Sequence, residues 1–134
     1  MQEVEKIMAE RFGKDSILAL ATVADGLPHV RNVDAYYEDG AFYVITYALS
    51  GKMRQIAANP AVALAGDWYT AHGIGENLGW VGAPENAAMV HKLRQAFSAW
   101  IDNGHTNFED RNTVLLRIRV TDAVLFAGGK RYEL

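Results

Sequence analysis

The stretch GLPHVRNVDAYYEDGAFYVITYALSGKMRQIAANPAVAL, residues 26–64, decides how this chain folds. Apolar and polar residues alternate in PHVRNVDAYY (28–37) and again in AFYVITY (41–47), and this period of two is typical of β-strands. Between them, Asp39-Gly40 favours the tight turn of a hairpin. The stretch therefore predicts two adjacent antiparallel strands.

The preceding segment, SILALATVA (16–24), predicts a further strand that leads into the first two through a second turn, Asp25-Gly26. One of its faces carries Ile17, Ala19, Ala21 and Val23, and the other face is also largely apolar. A strand that is apolar on both faces is expected to be covered on two sides. The three segments together predict an antiparallel meander.

A short helix is predicted directly after the meander, at SGKMRQIAA (50–58), where Asn59-Pro60 ends it. Ser50 stands at the N-cap position, so its hydroxyl is expected to accept a backbone N–H of the first turn. Gly51 permits close approach of a ligand to the backbone, and Lys52 adds a positive charge. The unpaired N–H groups at a helix start favour a phosphate.

Two further side chains are predicted to lie beside this helix start. Thr46 ends the strand that precedes it, and Arg31 on the neighbouring strand carries a guanidinium that can bind phosphate through two hydrogen bonds. From the residues alone, two interpretations stay open. The segment is either a capped helix with solvated cations or a site for a phosphate-bearing ligand.

The rest of the chain predicts the elements that complete the fold. These are an amphipathic helix ending near Gly13, a strand at 61–69, a strand around LGWVG (78–82), a long helix at 84–102 and a strand at 113–127. The sum is an α+β fold with about six antiparallel strands and three flanking helices. We expect the sheet to close into a small barrel, because closure removes exposed strand edges. One domain, 1–134, is expected for this length.

Composition excludes several classes of function. The chain has no cysteine, and its 13 basic and 16 acidic residues are scattered, which argues against a nucleic-acid partner. No apolar run approaches the roughly 20 residues that cross a membrane, and the polar N-terminus is no signal peptide, so a cytoplasmic protein is expected. No metal site is expected, because the spacing of the four histidines matches no metal-binding motif: His29, His72, His91 and His105.

The spacing of residues in 26–64 resembles that of the pyridoxamine 5′-phosphate oxidase-like family, the FMN-binding split barrels. Its members typically show Gly-x-Pro-x-x-Arg-x-Val, then Asp-Gly-x-Phe-Tyr, then Thr-x-x-x-Ser-x-Lys, and then Asn-Pro-x-Val. Order and gaps both match across about the middle third of the chain. The matching residues are Gly26, Pro28, Arg31 and Val33; Asp39, Gly40, Phe42 and Tyr43; Thr46, Ser50 and Lys52; and Asn59, Pro60 and Val62.

The resemblance implies a homodimer of split barrels with two FMN molecules at the subunit interface, and a flavin that carries the redox chemistry. It therefore implies a small FMN-dependent oxidoreductase of unassigned substrate. Tyr47, Trp68 and Trp80 are candidates for the walls of the flavin pocket. By position, the cofactor-binding residues are Arg31, Ser50 and Lys52 for the phosphate, Val33 and Thr46 for the ring and ribityl part, and Asn77 for the flavin ring bound by the partner subunit.

Departures from the family pattern keep other functions open. The chain ends in GGKRYEL, without the Arg, Trp and His residues that bind substrate in the oxidase itself, so oxidation of pyridoxamine phosphate is not expected. Asn32 stands where the family often has proline. The same fold also serves deazaflavin-dependent reductases and haem-handling proteins, although Ser-x-Lys favours FMN. A non-enzymatic flavin-binding protein for storage or sensing, or a barrel with an empty site, is the remaining alternative.

Overall fold

A computed structural model describes residues 3–134, which form helices and strands in the order that the sequence predicts, with one added strand near the C-terminus. The strand predicted around 78–82 begins earlier, at Tyr69. The α-helices are α1 (Glu3–Phe12), α2 (Gly51–Ala58) and α3 (Ala87–Ala96). The strands are β1 (Ser16–Ala24), β2 (Leu27–Glu38), β3 (Ala41–Tyr47), β4 (Ala61–Gly66), β5 (Tyr69–Trp80), β6 (Thr113–Ala127) and β7 (Lys130–Glu133).

The strands form a closed antiparallel barrel. Their order is β3-β2-β1-β4-β5-β6-β7, and β3 also pairs with β6, which closes six strands and leaves β7 as an extra strand. This confirms the predicted α+β split barrel of about six antiparallel strands with flanking helices. Strand β7 was not predicted, because its four residues are too few for a periodic pattern. It follows a turn in which Gly128 and Gly129 adopt φ of 56° and 78°.

The two Asp-Gly turns fold as the sequence predicts. Asp25 and Gly26 have φ of 52° and 77°, and Asp39 and Gly40 have φ of 49° and 83°. Two consecutive positive φ values are the mark of a type I′ turn, whose twist matches that of the flanking strands. These turns fix the register of β1, β2 and β3.

The predicted long helix is shorter than expected. A 3₁₀ turn, Pro84–Asn86, precedes α3, and the chain leaves the α-helix at Phe97, where Trp100 N–H donates to Phe97 C=O at 3.0 Å in a tighter turn. Phe97 and Ile101 remain fully buried, so the apolar stripe still packs although the helix ends. None of the helices within residues 3–134 is long and apolar enough to cross a membrane.

The core fills the barrel, and a smaller cluster lies between α3 and the outside of β6. On β1, Leu18, Leu20 and Thr22 point inward and are at most 1% exposed. The opposite face of β1 was expected to be covered, but this chain leaves it open, with Ile17 68% exposed. Neighbouring strands extend this open surface, which we call the outer face and define by Ile17, Ala19, Ala21, Val30, Ala63 and Ala65.

The barrel is split between β2 and β3. These strands pair only at their joined ends, from Tyr36 opposite Tyr43 to Glu38 opposite Ala41. Further along, residues 31–34 of β2 pair with β1 alone, and residues 44–47 of β3 pair with β6 alone. The facing backbone edges of β2 and β3 therefore have no ladder partner there. Helix α2 follows β3 directly, so this open seam ends beside the N-terminus of α2.

Candidate anion-binding site

Ser50 stands at the N-cap of α2 with extended backbone angles, φ −69° and ψ 160°. The expected capping bond is absent: its side chain bonds no N–H of the first turn. Its backbone groups make the hydrogen bonds at the helix start instead. Ser50 N–H donates to Tyr47 C=O at 3.0 Å, and Ser50 C=O accepts Arg54 N–H at 3.1 Å. Within residues 3–134 the buried Ser50 Oγ has no hydrogen-bond partner. A buried hydroxyl without a partner is costly, and a ligand at the helix start would satisfy it.

Lys52 lies in the first turn of α2 and reaches back to the end of β3. Its Nζ donates to Thr46 Oγ1 at 2.5 Å. Burial lowers the pKa of Lys52 below its ordinary value, and the positive charge of Arg31 lowers it further. Both effects disfavour the charged amine, and an anion bound beside it would offset them.

Arg31 projects from β2 under α2. Its Nη1 donates to Leu20 C=O at 3.1 Å and to Thr22 Oγ1 at 2.8 Å, and its Nη2 donates to Gln55 Oε1 at 2.8 Å. Burial lowers the pKa of Arg31 as well. Within residues 3–134, no carboxylate lies within 4.0 Å of Arg31 or Lys52. The structure thus holds two like charges close together without a counter-charge.

Two residues of this cluster were missed from the sequence. Thr22 is fully buried and donates to Gln55 Oε1 at 2.5 Å, so Thr22 and Gln55 together hold the Arg31 guanidinium in place. The available signals were weak. Thr22 is a polar residue on the inward face of an otherwise apolar strand, and Gln55 comes one helical turn after Lys52, on the same side of α2.

The structure brings together four of the six predicted site residues, and we call Arg31, Thr46, Ser50 and Lys52 the anion site. Val33 lies beside it on β2, but its side chain is 7% exposed in the core, so only its backbone faces the open seam. Asn77 lies apart on β5, exposed, where its Oδ1 accepts Gly79 N–H at 2.8 Å. Its predicted contact with the flavin of a partner subunit stays a prediction.

The aromatic candidates for the pocket walls occupy three different places. Tyr47 follows Thr46 at the end of β3 and is 45% exposed beside the anion site. Trp80 instead donates its indole N–H to Phe108 C=O at 2.9 Å and lies under Arg111, at 4.0 Å. Trp68 lies in the turn after β4, at the opposite end of that strand from α2. Of the three, Tyr47 is nearest in the chain to the anion site, but alternation along β3 turns its side chain to the opposite face of the strand from Thr46.

The chain matches a family model over most of its length. A family model described as pyridoxamine 5′-phosphate oxidase matches residues 4–125. No curated protein matches the chain.

Solved structures share the fold at low sequence identity. General Stress Protein 26 from Bacillus anthracis str. Sterne has a TM-score of 0.74 and 18% identity, over 99% of this chain and 100% of that chain. An FAD-binding protein from Mesorhizobium loti has a TM-score of 0.70 and 18% identity, over 92% of each chain. An F420 reductase has a TM-score of 0.64 and 21% identity, over 86% of this chain and 94% of its own.

Proposed function

Because this chain belongs to the pyridoxamine 5′-phosphate oxidase family, we propose that it binds FMN at the anion site and works as a small FMN-dependent oxidoreductase. The observation that carries the proposal is the cationic pair of Arg31 and Lys52, which has no carboxylate partner within residues 3–134 and lies beside the unpaired Ser50 Oγ. A phosphate dianion supplies both the missing charge and the missing hydrogen-bond acceptors.

The residues present fit the rest of FMN as well. The open seam between β2 and β3 leaves backbone groups of residues 31–34 free to bond a ring with amide-like edges. When bound, the flavin supplies the redox chemistry, while Arg31, Lys52 and Ser50 hold its phosphate and fix its position.

The proposal includes a homodimer formed through the outer face. This face consists largely of alanine, so a second copy can approach its backbone closely, and Ile17 and Val30 are 68% and 70% exposed on it. A cleft of about 350 Å³ runs along the same surface and is mostly lined by apolar residues. The sequence predicts that β1 is covered on both sides, and a second copy would provide the cover that this chain lacks.

The absorption spectrum of the purified protein tests the proposal directly. We expect the bands of oxidised flavin, either as purified or after FMN is added and the excess removed. Anaerobic reduction by NADH or NADPH, followed by reoxidation with a panel of acceptors, then separates an oxidoreductase from a flavin store. A colourless protein that takes up no FMN would contradict the proposal.

Thr22→Val is expected to weaken FMN binding about threefold to tenfold, because the Arg31 guanidinium loses a partner that holds it in place. The substitution nearly preserves shape, so we expect a loss of about 1–2 kcal/mol in the free energy of unfolding. Isothermal titration with FMN measures the first effect and chemical denaturation the second. Riboflavin, which lacks the phosphate, should bind the variant and wild type equally. The matched control is Thr121→Val, at an exposed position on β6.

The affinity for FMN is expected to fall as the pH rises through the pKa of Lys52, which lies below its ordinary value in the FMN-free protein. A bound phosphate favours the protonated amine, so the affinity decreases between the pKa of the free form and the higher pKa of the complex. Titrations from about pH 7 to about pH 10 measure this decrease. Parallel titrations with riboflavin, which lacks the phosphate, correct for ionisation of the flavin ring. If Lys52→Met shows the same decrease in FMN affinity at alkaline pH, the decrease does not come from Lys52.

A further inference from the structure

The turn between β4 and β5 places a tryptophan where the other hairpins place small residues. Trp68 has φ of 51°, in the left-handed region that bulky side chains avoid. Among residues 3–134, the other non-glycine residues with positive φ are Asp25 and Asp39, both in Asp-Gly turns. Trp68 is also 71% exposed, so burial of the ring within this chain does not explain the strained backbone. Backbone strain of this kind clusters at sites where a side chain is presented to a ligand.

Trp68 forms one wall of a cleft at this end of the barrel. The cleft has a volume of about 410 Å³, and its other walls are Arg11, Phe126, Ala127, Gly128 and Gly129. The rings of Trp68 and Phe126 meet edge to face, with their centroids 6.3 Å apart, and Phe126 is 44% exposed. On the glycine side, a Cβ added at Gly128 or Gly129 would meet nothing within 4 Å, so the cleft is open there.

Arg11 brings an unbalanced positive charge to the cleft. Its Nη1 donates to Asp67 C=O and to Phe126 C=O, both at 3.0 Å, and these two bonds fix the guanidinium between the β4–β5 turn and β6. Within residues 3–134 the remaining N–H groups of Arg11 have no hydrogen-bond partner, and no carboxylate lies within 4.0 Å of it. A positioned guanidinium with free donors is suited to bind a carboxylate.

We propose that this cleft binds a small aromatic carboxylate. The ring of the ligand packs against Trp68 and Phe126, which offer both π faces and edges, and its carboxylate pairs with the free donors of Arg11. The cleft lies at the opposite end of β4 from α2, so the inference stands independently of the proposed flavin site. The chain would then have a second ligand site, which binds an organic carboxylate, whereas the anion site binds the phosphate of FMN.

The test uses the full chain saturated with FMN and the probe 2-naphthoate, followed through the indole N–H signals of the tryptophans by NMR. Trp80 and Trp100 donate their indole N–H groups to Phe108 C=O and Asp15, so their signals serve as internal references. We expect 2-naphthoate to shift the Trp68 signal in a saturable way. The uncharged 2-naphthamide and the variant Arg11→Gln should each bind about tenfold more weakly or worse.

Two variants control for structural effects. Arg94→Gln removes an arginine that lies over the ring of Phe108 but is already paired with Asp102, and it should leave 2-naphthoate binding unchanged. Trp68→Gly suits the left-handed backbone, so the protein should keep its melting temperature or gain in it while losing the ligand. Arg11→Lys keeps a charge and should bind more strongly than Arg11→Gln.

Four results would overturn the proposal. These are no shift of the Trp68 signal at millimolar 2-naphthoate, equal affinity of wild type and Arg11→Gln, release of FMN as 2-naphthoate binds, and a Trp68 signal that changes on dilution of the protein. Release of FMN would place the carboxylate at the anion site. A Trp68 signal that changes on dilution would show that a second copy of the chain covers Trp68. Failure of FMN binding itself appears separately in the flavin absorbance.

Discussion

Replacing Lys52 by methionine is expected to weaken FMN binding by about tenfold to a hundredfold while leaving the FMN-free protein at least as stable as wild type. The amine would make a charge-assisted contact with the phosphate, and such contacts contribute about 1.5–3 kcal/mol. In the FMN-free protein the same amine is half-buried and lies near the positive charge of Arg31, and both effects lower the pKa of Lys52. Methionine is an unbranched side chain only one atom shorter than lysine, and it removes the charge. Affinity and stability should therefore change in opposite directions.

The pH dependence of stability provides an independent check on this argument. Because the folded protein lowers the pKa of Lys52, the unfolded chain binds more protons between that pKa and the ordinary value. The free energy of unfolding of the FMN-free protein should therefore rise with pH across this window. The Lys52 contribution to this rise should be absent in Lys52→Met. Denaturant titrations at several alkaline pH values measure the difference between the two proteins.

Two comparisons separate a phosphate contact from a general effect of charge. Arg54→Met removes a cation from the same helix. Arg54 Nη1 donates to Leu49 C=O at 2.7 Å, and its replacement should change FMN affinity by less than about threefold. Arg31→Met should weaken FMN binding like Lys52→Met but also lower stability, because Arg31 holds Thr22 and Gln55 together. If Lys52→Met binds FMN as tightly as wild type, or Arg54→Met loses as much affinity, Lys52 does not bind the phosphate.

The parts of the fold that local chemistry determines could be predicted from the sequence. The Asp25-Gly26 and Asp39-Gly40 turns set the register of β1, β2 and β3, and the alternation along these strands is strong because one face of each packs in the core. The length of α3 could not be predicted. Its apolar stripe continues to Ile101, and the change to tighter turns after Phe97 keeps that stripe buried, so periodicity does not distinguish the two conformations.

The residues of the candidate site also divide into those that the sequence could predict and those that it could not. Thr46, Ser50 and Lys52 could be found by their spacing around one strand–helix junction, and Arg31 by its place on the neighbouring strand. Thr22 and Gln55 could not, because they join the site through the pairing of β1 with β2 and the rotation of α2 over the barrel. The Ser50 hydroxyl was expected to cap the helix, which is the commonest local use of a serine there. Its lack of a bond within residues 3–134 appears only in the folded protein.

Val30→Asp is expected to convert the proposed dimer to monomers without unfolding the barrel. Val30 lies on the β2 side of the outer face, opposite Ala21 on β1, and is 70% exposed in the single chain, so aspartate there is solvated in a monomer. In a dimer formed through this face the carboxylate would be buried without a partner, and two-fold symmetry would repeat the cost in the second copy. We expect the dissociation constant to rise by more than about 1000-fold.

Light scattering coupled to size exclusion, over a series of protein concentrations, measures this dissociation, and thermal unfolding confirms that the variant is folded. Leu134→Asp is the matched control, since Leu134 is also an exposed apolar residue, at 40%, but follows β7, off the outer face. FMN affinity should fall together with the dimer, because Asn77 is predicted to act on the flavin of the other subunit. A monomeric wild type, or a Val30→Asp variant that remains dimeric, would contradict the interface. A monomeric variant that keeps full FMN affinity would show instead that one chain holds the cofactor alone.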